Sequence, residues 1–196
     1  DLCGDTPEQD MAVLRLLLAV LHTIFSKMDE DGQDNVIDTP TQARKRWRAL
    51  WEKGYFKEDV IRTYLGKYHE RFWLFHGQYP FWQIPEAAVG TEYTVAKLNG
   101  ELSESGNKVR LFPLCNGIKK QEMEYAAAAR WLLYVNAYDD TSAKPKGKGL
   151  PSPGVGWPGK LGLIAAVGDN LFQTLMLNLT LLKDGRSLWE GEDKPI

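Results

Sequence analysis

Met11-Ala-Val-Leu-Arg15-Leu-Leu-Leu-Ala-Val-Leu-His22-Thr-Ile-Phe25-Ser-Lys-Met28 is the stretch that decides the fold. Its apolar residues occupy nearly every face of a 3.6-residue period, which predicts a helix enclosed by a core. Upstream, Thr6-Pro7-Glu8-Gln9 supplies a capping threonine, a proline suited to the first helical position and a glutamine where a capping box places it. The apolar part, Met11 to Phe25, is 15 residues long and is interrupted by Arg15 and His22. That is short of the ~20 residues that cross a bilayer, so no membrane contact is expected.

Thr39-Pro40-Thr41-Gln42 repeats the start signal. It predicts a second helix through Trp51, ending near Gly54. Trp47, Leu50 and Trp51 share one face, with Arg44, Lys45, Arg46 and Arg48 around the rest. A third helix is expected from Lys57 to about Arg71, and a short fourth over 95–102 behind Thr94. Between them lies the aromatic segment 72–82, where Pro80 and the nearby Pro85 forbid helix. Trp47, Trp51, Trp73 and Trp82 sit among apolar residues and read as core. Residues 109–112 read as a short strand, and 119–138, rich in alanine, as a helix. Prolines and glycines in 139–160 argue against helix and central strand. Residues 161–167 read as a strand, Gly168-Asp169 as a turn with Asp169 capping, and 170–182 as a last helix. The expected class is α+β, mainly helical: an irregular globular domain with a few short strands, single over 1–196, with 139–160 as a basic Gly/Pro-rich loop.

Composition bounds the function. At 196 residues, 43% hydrophobic and 26% charged, the chain has the makings of a folded domain with a sizeable core. A net charge of −2 excludes a uniformly basic surface. Charge is nonetheless segregated. Residues 1–40 hold nine acids and only Arg15 and Lys27, whereas 41–68 hold eight Lys or Arg against three acids. Residues 141–162 hold four Lys and no acid. An anionic partner would be met locally. Cys3 and Cys115 are too distant for a metal knuckle and form no disulfide framework, so a reducing cytoplasm is expected. The opening Asp1-Leu2-Cys3-Gly4, without an initiator Met, reads as that of a fragment or processed chain.

Enzyme chemistry finds little support. Gly154-Val-Gly-Trp-Pro-Gly159-Lys160 matches the spacing of a phosphate-cradling loop. Leu161, however, stands where a Ser or Thr should hold magnesium, and Pro158 removes a backbone donor. His22 lies on an apolar helix, and His69 and His76 have no cysteine or carboxylate at ligand spacing. Glu122 and Glu124 lack apolar neighbours that would raise their pKa. No catalytic residue, metal site or cofactor is expected. Two features remain open. The loop 144–162 offers Lys144, Lys146, Lys148 and Lys160 to phosphates and glycines for close backbone approach, or is simply a basic linker. Segment 108–120 combines cations with Phe112, or is a strand whose Leu111 and Phe112 fill the core.

The order of segments resembles the N-terminal region of the CasA family, the large subunit of the type I-E CRISPR Cascade. The likeness rests on the early helix from Asp10 to His22, on Phe72-Trp-Leu-Phe through Pro80-Phe-Trp-Gln83, and on the helix around 126–130 with its Gly-rich loop. Gly168-Asp-Asn-Leu-Phe-Gln-Thr-Leu-Met-Leu-Asn178-Leu is the most specific of the four. The resemblance implies a non-catalytic subunit that binds target double-stranded DNA, reads the protospacer-adjacent motif and joins crRNA-containing subunits in antiviral defence. It also implies recruitment of a helicase–nuclease by the full-length subunit. By position, Phe112, Lys119 and Lys120 match the family's flexible DNA-binding loop; Gly154, Gly156, Gly159 and Lys160 match its Gly loop. Trp157 and Pro158 interrupt those glycines, a departure from the family pattern. The rival expectation is a helical scaffold that joins proteins and touches no nucleic acid; a nucleotide hydrolase is a third.

Overall fold

The computed structural model describes residues 2–84, 92–99, 122–139 and 155–181. Among them the chain is mainly helical, with seven α-helices: α1 Pro7–Phe25, α2 Pro40–Lys53, α3 Glu58–Lys67, α4 Val95–Leu98, α5 Tyr125–Tyr138, α6 Trp157–Leu161 and α7 Leu171–Asn178. A 3-10 turn, His69–Phe72, follows α3. The chain groups into two compact units. One contains Leu14–His69 and the described residues from Ile164 onward; the other contains Cys3–Val13 and the described residues of Glu70–Leu163.

The first unit is built on the C-terminal two thirds of α1. Leu14, Leu21, Ile24 and Phe25 are buried, joined by Ile37, Leu50, Leu175 and Met176. Phe25 stacks on Phe56, Phe56 meets Phe172, and Trp51 lies between Trp47 and Phe172. The Trp47 indole donates to the Met176 carbonyl at 2.8 Å, fixing α2 against the end of α7. Arg46, read from sequence as part of a charged surround, is buried. Its guanidinium donates to the carbonyls of Phe25 (2.9 Å), Met28 and Asn35 (2.9 Å), clamping the loop that leaves α1. Burial lowers its pKa, against an upward pull from Asp29 and Glu30.

In the second unit, Trp131, Leu133 and Ala137 of α5 are buried, as are Phe81 and Ala12. α4 and α6 both pack on α5. Phe72 stacks on Phe81, and Phe75 meets Tyr125 edge-on.

Several expectations are corrected. No strand exists among the described residues beyond an isolated Met28–Asp34 bridge. Residues 162–168 are irregular, and Asn178 bonds both the N–H (3.0 Å) and the carbonyl (2.7 Å) of Ala166, standing in for a partner strand. The strand expected over 109–112 lies outside the described residues. Trp51, Trp73 and Trp82, expected in the core, are 36%, 54% and 47% exposed. α3 stops at Lys67, where Tyr68 breaks from helical geometry. α5 begins at Tyr125 because Glu124 is extended at its N-cap. Asn170, not Asp169, caps α7, accepting from the Gln173 N–H at 2.9 Å. A short helix also stands inside the segment read as non-helical: Pro158 is in the first turn of α6, where its missing N–H leaves no bond unmade.

Candidate nucleic-acid interface

The described part of the candidate surface is the Gly-rich stretch seated on the end of α5. Its seat is made by small residues. A Cβ on Gly156 would stand 2.5 Å from the Asn136 carbonyl oxygen and 3.0 Å from that of Ala137. On Gly159 it would stand 2.9 Å from the Val155 Cβ and 3.1 Å from the Ala137 oxygen. Both glycines therefore face the last carbonyls of α5, and Pro158 is buried with them. The close backbone approach they permit is an approach to α5.

What turns outward is different. Trp157 is 73% exposed, Leu161 is 74% exposed, and Lys160 is exposed in the last turn of α6. The Lys160 N–H donates to the Gly156 carbonyl (3.1 Å) and the Gly162 N–H to that of Pro158 (2.8 Å), so one helical turn holds the lysine on its frame. The nearby carboxylate of Asp139 is engaged by Lys97 at 3.4 Å. Chemically the face offers one ammonium group and one large aromatic ring on a single helical turn. That combination suits a phosphate beside a base or sugar.

Of the residues singled out from sequence, Gly156, Gly159 and Lys160 are brought together here. Phe112, Lys119, Lys120, Lys144, Lys146, Lys148 and Gly154 lie outside the described residues. Sequence reading treats Trp157 only as an interruption of the glycines; its signal is a tryptophan in a segment with no apolar period to place it in a core. Among the described residues, no group of three or more His, Cys, Asp and Glu could hold a metal ion. Nor is any helix there long and apolar enough to cross a membrane. His22 is half-buried on α1, and its Nε2 has no hydrogen-bond partner.

The family model for the CRISPR-associated protein Cse1 matches residues 1–196. The chain is 34% identical over 189 residues to the CRISPR-associated protein CasA/Cse1 of Thermus thermophilus, covering 94% of this chain and 34% of that protein. The crystal structure of Thermobifida fusca Cse1 is similar at a TM-score of 0.62 and 30% identity, over 91% of this chain and 32% of the other. The crystal structure of Thermus thermophilus CasA gives a TM-score of 0.60 and 27% identity, over 90% of this chain and 31% of the other. The chain thus spans about a third of the length of these relatives.

Proposed function

Because the chain belongs to the CRISPR-associated protein Cse1 family, we propose that it is a non-catalytic, DNA-contacting part of a type I-E Cascade surveillance complex. In this reading it helps bind target double-stranded DNA and recognise the protospacer-adjacent motif in antiviral defence. Its partners are the crRNA-containing subunits and a helicase–nuclease recruited by the full-length subunit, in the cytoplasm. The proposed contact residues are Phe112, Lys119, Lys120, Lys144, Lys146, Lys148, Gly154 and Lys160, with Gly156 and Gly159 seating on α5 the turn that presents Lys160. The observation that carries the reading is the exposed Lys160–Trp157 face on α6, set against the α5 carbonyls by two closely approaching glycines. The turn's backbone sets Lys160 on the outer side, where its ammonium group is free to meet a phosphate.

The test is charge reversal of Lys144, Lys146, Lys148 and Lys160 to Glu in the assembled complex. Binding of motif-bearing duplex should weaken most at low salt, because counterion release supplies that affinity. Equal binding by both complexes at low salt would reject these contacts. The exposed Trp157 and Leu161 also suit a protein partner, which is the scaffold reading. Capture from the native host after nuclease treatment separates the two: a guide RNA recovered with several unlike subunits supports the surveillance complex, and its absence supports the scaffold.

A further inference from the structure

Helix α2 carries five cations, and the structure sorts them into two sets. Arg46 is buried as the clamp on three carbonyls, and Lys53 is held by the Asp31 carboxylate at 2.7 Å and the Glu30 carbonyl at 2.9 Å. Arg44, Lys45 and Arg48 are exposed and make no ion pair among the described residues. At 100° per residue these three fall within about a quarter of the helix circumference, opposite buried Ala43, Arg46 and Leu50. Glu52 is the only acid on α2, near the far end of the same face. Helix α3 shows the contrast, for there Arg62 is neutralised by Glu58 at 2.5 Å, one turn away.

We propose that the outer face of α2, formed by Arg44, Lys45 and Arg48, is a second phosphate-contacting surface that tracks the backbone of duplex DNA. The proposal rests on the DNA-binding reading above and adds a surface in the other compact unit. Arg44 and Arg48 stand one turn, about 6 Å, apart along the axis, a spacing that serves successive phosphates of one strand. Two of the three cations are guanidinium groups, whose forked donors fit a phosphate in bidentate fashion. The face presents no large apolar side chain between the three charges. It is therefore suited to the sequence-independent part of binding, which sets affinity and register and reads no bases.

The experiment compares the intact subunit in its complex with the triple variant Arg44→Gln, Lys45→Gln, Arg48→Gln, titrated with duplex DNA across a salt series. Three lost phosphate contacts should make the affinity lost between about 50 and 200 mM salt about 40-fold smaller in the variant. Arg62→Gln, which removes an already neutralised cation, should leave the salt slope unchanged. If the wild-type complex binds duplex and the triple variant keeps its affinity and slope, the α2 surface is refuted while the DNA-binding reading survives. If only the α2 variant weakens binding and the Lys160 variants do not, the α2 surface holds and the Gly-loop contacts fall. A wild-type complex that ignores duplex but binds polyglutamate through Arg44, Lys45 and Arg48 refutes both, marking α2 as a dock for an acidic protein.

Discussion

Gly156 shows how one residue can be required for a reason its sequence context does not reveal. Its backbone, at φ −64, suits any amino acid. The constraint is space, because an added methyl group would meet two backbone carbonyls of α5 that no rotamer change can move. Gly156→Ala should therefore lower the stability of the subunit by about 1–3 kcal/mol, the ordinary cost of overpacking a tight contact. Urea unfolding would measure it, and an unchanged midpoint would mean that α6 does not sit on α5 as described. On Gly159 the added methyl would stand farther off, 2.9 Å from the Val155 Cβ and 3.1 Å from the Ala137 oxygen, so Gly159→Ala should cost less. A run of glycines beside lysines reads, from sequence, as a loop shaped for an outside partner. The partner of these two is the chain's own helix, and only coordinates bring residue 136 against residue 156.

At the scale of elements, three helices open with one device, a capping oxygen followed three residues later by a glutamine that reaches back. Thr6 accepts from the Gln9 N–H (3.2 Å), and Gln9 takes the Asp5 N–H at 3.0 Å. Thr39 accepts from the Gln42 N–H, while Gln42 takes the N–H groups of Thr39 (2.9 Å) and Asp38 (2.8 Å). Asn170 and Gln173 repeat the arrangement with Asp169. Gly54, at φ 78, closes α2 by donating to the Leu50 and Trp51 carbonyls. Thr39→Ala removes one partner of a two-way cap and should cost about 1 kcal/mol. Thr41→Ala, two residues on and exposed, should stay within about 0.5 kcal/mol. Equal effects in thermal unfolding would remove the cap from the account of α2. These local signals are why α1 and α2 are legible in the sequence, whereas α7 is read from its apolar run, with the cap placed one residue early. The strand expected over 161–167 fails because apolar composition does not supply a neighbour: here the neighbour is the Asn178 amide, not a second strand. α6 escapes a sequence reading because Pro158 counts there as a breaker, whereas in a first turn it is permitted.

At the scale of the whole molecule, stability should depend on pH through a histidine that no proposed contact uses. His22 lies on the helix that forms the first unit's core, between buried Leu21 and Ile24 and close to Phe25. Desolvation lowers its pKa in the folded state from the ordinary 6.5, and its Nε2 finds no acceptor that could take a second N–H. The sign follows from proton counting. Below about pH 6.5 the unfolded chain takes up a proton that the folded chain resists, so unfolding gains as pH falls. The stability due to neutral His22 is complete above about pH 6.5 and drains away as pH drops through the folded-state value. The subunit's melting temperature should therefore fall between about pH 7 and 5, and part of that fall should vanish in His22→Leu, which keeps an apolar side chain there and cannot titrate. The readout is the difference between the two melting curves plotted against pH, which cancels the carboxylates and the other two histidines common to both. Parallel curves across that window would show that His22 is solvated in the folded state and that the apolar helix does not enclose it.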